Sequence, residues 1–195
     1  GPIGIQEYWD GFMRSMDFDH GIRIADDGRS PLTDMIEIHV FGEGPIGKHR
    51  GIEVSALRVD HPPVTECYAL RFDGANSSVA FSADTCYFPP LAEFSNDADV
   101  LVHEAMLEEG IENILKRTPG ANSLEQHLRA SHTMASDAGR IASDANVGLL
   151  VLNHLIPADD PAFNDSHWQN AVSETWQGPM RIGKDGMKIK LREKI

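Results

Sequence analysis

The stretch FSADTCYFPP, residues 81–90, decides the fold. An apolar run, Val79-Ala80-Phe81, leads into it and reads as a buried strand. The run then gives way to a small residue, an acid at Asp84, Thr85 and a double proline. A carboxylate at the end of a buried strand admits two readings. Asp can close a turn by bonding local backbone, or the rigid strand end can hold it out as a ligand or catalyst. The rest of the chain bears on that choice.

The chain has 195 residues, 41% hydrophobic and 24% charged, the makeup of a soluble globular domain with a substantial core. A single domain over residues 1–195 is the expectation. The formal net charge is −13. Nucleic-acid phosphates are gripped by Lys and Arg, so this balance argues against a nucleic-acid partner. It leaves room for a small anionic substrate held through metal ions, because bound cations can dominate a site's field. No apolar run approaches the length of a membrane helix, so no membrane partner is expected. The start, Gly1-Pro2-Ile3, has neither Met nor a charged leader region and reads as a chain that begins partway through a protein. Cys67 and Cys86 are too few for a disulfide scaffold, and Cys86 reads as an inert buried thiol.

Strands and helices alternate along the chain, which indicates a layered α/β domain. Helices are expected over residues 6–18, 91–95, 106–116, 134–146 and 166–176. The fourth has Ala138, Ile141, Ala142 and Ala145 on one face and Thr133 as a candidate N-cap. Strands are expected over 35–41, 52–59, 67–72, 78–82, 100–102 and 149–152, and the tail 179–191 reads as two strands about Lys184-Asp185-Gly186.

Three of these strands end in a candidate ligand. Strand 52–59 runs into Asp60-His61, strand 78–82 into Asp84, and strand 149–152 into Asn153-His154. His132 lies just before the helix at 134. In layered α/β folds ligands bind outside strand ends, and His with carboxylate suits zinc and related metals. Each residue alone has an ordinary structural reading. Together, in one small domain, they point to a site.

The pieces VDHPPVTECYALRFD (59–73), VAFSADT (79–85), ADVLVHEAML (98–107), ASHTMASDAGRIASDANV (130–147) and LLVLNHLIP (149–157) resemble, in their order, the metallo-β-lactamase superfamily, in its ribonuclease Z-like and arylsulfatase-like branch. The resemblance covers residues 1–191 or nearly so. It implies the C-terminal part of a four-layer αββα fold, with two packed sheets flanked by helices. It implies that His61 ligates a first metal, that Asp84 bridges, that His154 ligates a second, and that His132 faces the substrate's leaving group. Asp84 would then be catalytic as well as structural to the metals. The implied cofactors are two divalent ions, zinc foremost with manganese or iron as alternatives, and no organic cofactor. The implied activity is metal-dependent hydrolysis of an ester.

Two departures stand out. Ala83 occupies a position where the family usually has Gly. The family's upstream signature, His-x-His-x-Asp-His, does not occur in this chain; Asp19-His20 and Asp60-His61 lack the preceding histidines. The half supplying most ligands of the first metal is therefore expected outside it. His61 and Asp84 are 23 positions apart, too close for the RNA-gripping arm of bacterial ribonuclease Z. Spacing and charge together favour a small anionic ester, a sulfate ester or phosphodiester, with a transfer-RNA 3′ endonuclease or a non-catalytic module of the same fold as alternatives. A homodimer is compatible with the sequence. His103-Glu104 is read as support for the site, and His127 as a surface or loop residue.

Overall fold

The structure is a computed structural model and describes residues 1–191. The backbone groups into two compact units, residues 1–42 and the remainder from Glu43. The first holds α1 (Ile5–Asp27), which ends where Gly28 adopts φ 66°, the left-handed stop common after helices. The helix expected at 6–18 thus runs on by nine residues, helped by the Asp19–Arg23 pair one turn apart. The strand expected at 35–41 does not form. Alternation predicts which face would be buried, but a strand also needs a ladder partner and a core. Here Met35 and Val40 are 68% and 59% exposed.

The second unit is built on a seven-stranded sheet in chain order: β1 (Gly44–His49), β2 (Ile52–Arg58), β3 (Tyr68–Asp73), β4 (Ser78–Phe81), β5 (Val100–Met106), β6 (Leu150–Ile156) and β7 (Met180–Ile182). The pairs from β1 to β4 are antiparallel, and those from β4 to β7 are parallel. The parallel connections carry α2 (Pro90–Phe94), then α3 (Glu108–Arg117), α4 (Leu124–Ser131) and α5 (Ala135–Asp144), then α6 (Asp165–Ser173). This is the α/β class expected from the sequence. β2, β4, β5 and β6 all run the same way, so their C-terminal ends lie along one edge of the sheet.

The two faces of the sheet differ. Ala80, Leu101, Leu150 and Leu152 point to one side and form the core with Leu91 of α2, Ile141 and Ala142 of α5, and Trp168 and Val172 of α6. Their neighbours Val79, Phe81, Val100, Val102 and Val151 point the other way. They line a groove of about 760 Å³ with Met187, Ile189 and Leu191. The described residues therefore form one sheet with helices packed on one apolar face, two layers of the four expected. The second tail strand, expected around 187–191, has no ladder among the described residues, and residues 192–195 of the tail lie outside them.

Two elements escaped the sequence. β1 contains two glycines and a proline, composition that speaks against a strand, yet as an edge strand it tolerates both. α4 is short, eight residues, with few apolar positions to mark its period. The N-cap of α5 also differs: Met134 holds that position, and the Thr133 hydroxyl instead donates 2.6 Å to the Thr85 carbonyl.

Gly139 shows how tightly α5 seats on α6. A Cβ there would meet Thr175 Oγ1 at 2.5 Å and the Val172 carbonyl at 2.9 Å. Helix propensity alone says that Gly139→Ala should stabilise by roughly 1 kcal/mol. Close packing says the reverse, and we expect a loss of about 1–3 kcal/mol, read as a lower urea midpoint with unchanged slope.

Candidate metal centre

At the shared strand edge the chain brings together Asp84, Glu104, His61, His132 and His154. His154 Nδ1 lies 3.5 Å from Asp84 Oδ1 and 3.9 Å from Glu104 Oε2. The His132 ring is 5.4 Å from that of His154 and 5.3 Å from that of His61, centroid to centroid. Glu104, His132 and His154 each offer a ligand atom within 4.8 Å of the others. His61, Asp84, His132 and His154, all singled out from the sequence, therefore meet in space.

Each side chain is aimed by local structure. His154 does not follow the end of its strand, as expected, but sits inside β6. The ladder pairs Glu104 with Asn153 and then Ala105 with Leu155, so His154 is the extra residue of a bulge, at φ 40°. Bulges re-aim side chains beside sites in this way. Asp84 follows Ala83, whose φ of 59° turns the chain sharply off β4. His61 Nδ1 donates 2.9 Å to the Ser131 carbonyl. That bond fixes the tautomer and leaves Nε2 as the free nitrogen.

Glu104 is 1% exposed and lies behind these groups. Its Oε1 accepts 2.7 Å from the Thr85 backbone N–H, and its carboxylate accepts from His132 Nδ1 at 3.0 Å and 3.2 Å. With its oxygens so committed, Glu104 acts as the orienting partner of His132 more readily than as a ligand. Burial pushes the Glu104 carboxyl above its usual range, with His132 and the Thr85 N–H acting against that. For His132, burial opposes protonation, but the hydrogen bond and charge of Glu104, with Asp84 beyond, prevail and raise it above the ordinary value. The imidazolium form is thereby favoured. His103, next in sequence, is buried on the helix side and donates 2.7 Å from Nδ1 to the Glu104 carbonyl. Both thiols are pushed up, Cys67 by burial and the Asp84 charge, Cys86 by burial and Asp60, which suits inert packing over reactivity.

His127, expected to be a surface or loop residue, is on the surface but belongs to the site's surroundings. It is on α4, exposed, yet its ring lies 6.2 Å from His61 and 5.8 Å from His132. Nothing in a lone histidine on a short polar helix would have signalled this.

The donor set, histidine nitrogens and carboxylate oxygens at one strand edge, fits a first-row divalent metal. No family model matches the chain. Among curated proteins it is 26% identical over 185 residues to a ribonuclease Z of Mycobacterium tuberculosis H37Rv, covering 95% of this chain and 65% of the relative. Among solved structures it resembles the metallo-β-lactamase fold protein YhfI of Bacillus subtilis, with TM-score 0.57, 26% identity, 76% of this chain and 54% of YhfI covered. The short form of human tRNase Z matches at TM-score 0.57 and 16% identity, covering 98% of this chain and 66% of that one. This chain has the metallo-β-lactamase fold. Its sequence likeness lies with the ribonuclease Z-like branch more than with the arylsulfatase-like one. The chain spans about two thirds of the length of most of these curated relatives, 65% for the H37Rv protein, and 80% of the relative from strain CDC 1551.

The expectation against a nucleic-acid partner is overturned by these relatives, which are ribonucleases by name. A chain-wide sum of −13 does not give the field at one site. At a metallo-β-lactamase centre the local charge is set by the bound cations, whatever the rest of the surface carries.

Two predictions follow from this geometry. Ala83→Gly should stabilise the protein by about 0.5–1 kcal/mol, since a left-handed non-Gly residue costs about 1–2 kcal/mol and Gly gives back roughly 0.5–1 in chain entropy; the urea midpoint measures it. His103, held down to about 4 by burial, stays neutral in the fold while the unfolded chain takes up a proton near 6.5. Its share of stability is complete above pH 6.5 and is lost as pH falls toward 4, about 3 kcal/mol in all. His103→Asn should flatten the pH dependence of the unfolding free energy over that window.

Proposed function

We propose that the complete protein is a metal-dependent phosphodiesterase of RNA, cutting transfer-RNA precursors near their 3′ ends as a ribonuclease Z-like enzyme. The observation that carries the reading is the convergence of His61, Asp84, His132 and His154 around buried Glu104. The ribonuclease Z relatives support the choice of RNA. The stretch between His61 and Asp84 folds as β3 and β4 alone, so further RNA contacts must come from elsewhere in the protein.

In this reading His61, through Nε2, Asp84 and His154 would hold two divalent cations, zinc by donor chemistry, with Asp84 contributing to both. Such ions, when bound, acidify water and neutralise phosphate oxygens. Three side chains are fewer ligands than two such ions take, and the remainder are assigned to the part of the relatives that this chain does not span. His132, its Nδ1–H fixed on Glu104, presents a protonated Nε2 to the leaving oxygen and gives up that proton as the ester bond breaks. Glu104 holds the ring in place and stabilises its positive form.

The test uses the complete protein with RNA bearing a 3′ trailer and with aryl phosphodiesters of graded leaving-group pKa. His154→Ala should lose metal and act poorly on every substrate. His132→Ala should keep its metal and lose roughly 10²–10⁴-fold on RNA and other poor leaving groups, with much less loss for nitrophenolate esters. Equal proportional losses across the series would remove His132 from this role, and a metal-loaded wild type that leaves the RNA intact would sink the ribonuclease reading.

A further inference from the structure

The exposed His127 lies at the mouth of the site and is held there by a definite chain of hydrogen bonds. Ser131, fully buried, donates its hydroxyl 2.5 Å to the Pro62 carbonyl. Its single O–H is thereby spent. The 3.2 Å contact between Ser131 Oγ and His127 Nδ1 can then only run the other way, with Nδ1–H donating. The backbone carbonyl of the same Ser131 accepts from His61 Nδ1. One buried residue therefore orients two histidines of the cluster. In the neutral ring, His127 is left with Nε2 as a hydrogen-bond acceptor, with no protein partner among the described residues.

We propose that His127 Nε2 accepts a hydrogen bond from the ribose 2′-hydroxyl next to the scissile bond. This rests on the ribonuclease reading above and deepens it. His132, assigned to the leaving oxygen, has its ring 5.8 Å from that of His127. If the leaving atom is a ribose 3′-oxygen, the hydroxyl beside it on the same sugar is the 2′ one. The step is a simple hydrolysis. Water oxygen bonds to phosphorus, the P–O3′ bond breaks, O3′ takes the proton, and the products carry a 3′-hydroxyl and a 5′-phosphate. An acceptor at that place distinguishes RNA from DNA, because only the 2′-hydroxyl can donate to it.

The experiment crosses one substitution with one substrate change. The complete wild-type protein and His127→Ala are assayed at pH 8 on an all-ribose substrate and on the same molecule with a single 2′-deoxy sugar at the cleavage point. Metal content and melting temperature are measured on both proteins. The wild type should prefer the ribose substrate by about 3–10-fold, the worth of one neutral hydrogen bond. His127→Ala should lose that preference, by falling to the deoxy rate on ribose while changing little on deoxy, with metal content and melting temperature unchanged. His127→Gln, which keeps an acceptor, should restore part of it. Equal losses on both substrates, a ribose preference that survives in His127→Ala, or lost metal would each overturn the proposal. A wild type that cleaves bis(para-nitrophenyl) phosphate and RNA but shows no ribose preference overturns the role of His127 alone. A wild type that cleaves no RNA takes the ribonuclease reading down with it.

Discussion

A carboxylate that is 1% exposed has to be satisfied where it lies, and Glu104 is satisfied by two separate loops. Losing one partner of such a buried charged pair costs about 3–5 kcal/mol. The Thr85 loop and the His132 loop are therefore held against β5 by the need to pair that charge. Thr85 extends the constraint. Its hydroxyl contacts the Asp60 and Cys86 carbonyls at 3.1 Å and 3.0 Å, and its own carbonyl accepts from Thr133. The loops bearing His61, Asp84 and His132 are thus tied to one another through backbone and buried hydroxyls. Preorganisation of this kind is what a metal site needs from its scaffold, since ligands that must be gathered cost binding energy.

How much of this was legible in the sequence depended on what each signal requires. Asp84 and His61 could be read because apolar strands announce their own ends, and parallel strands share an edge. His154 was found for a partly mistaken reason: the strand does not stop there but bulges, and a bulge leaves no mark in hydrophobic pattern. The segment 35–41 shows the opposite failure. Its alternation is real, but alternation specifies a face and not a partner, and none of its large apolar side chains is fully buried. His127 was illegible because its place comes from Ser131, four residues on, whose hydroxyl is committed to a carbonyl 69 positions upstream.

Net charge is a poor guide to the field at one site. Several of the chain's carboxylates lie on exposed surface and are paired locally, as Glu108 and Glu125 are with Arg129 and Glu112 is with Lys116. Exposed charge is screened within about 8–10 Å at ordinary ionic strength. The cluster of His61, His127, His132 and His154 is a different environment, with one buried carboxylate favouring a protonated His132. A net charge therefore weighs on long-range steering of a polyanion and says little about the hydrolytic centre it would reach.

Backbone strain follows the same edge. Among the described residues five non-glycines have positive φ: Arg50, Ala83, Asp97, Asn146 and His154. Asp and Asn adopt that region with little penalty, and Arg50 sits in the tight turn between β1 and β2. Ala83 and His154 have no such excuse, and they are the two that aim the Asp84 and His154 side chains. Strain persists only where surrounding structure over-determines it. Here β6 does so by stepping around the bulge. Because His154 is left out of the count, Leu155 still meets Ala105 and Ile156 still meets Met106 in the ladder. Were His154 counted into a regular ladder, every side chain after Asn153 would change faces. The bulge lets one strand serve the core on both sides of a histidine that has been turned out to the site.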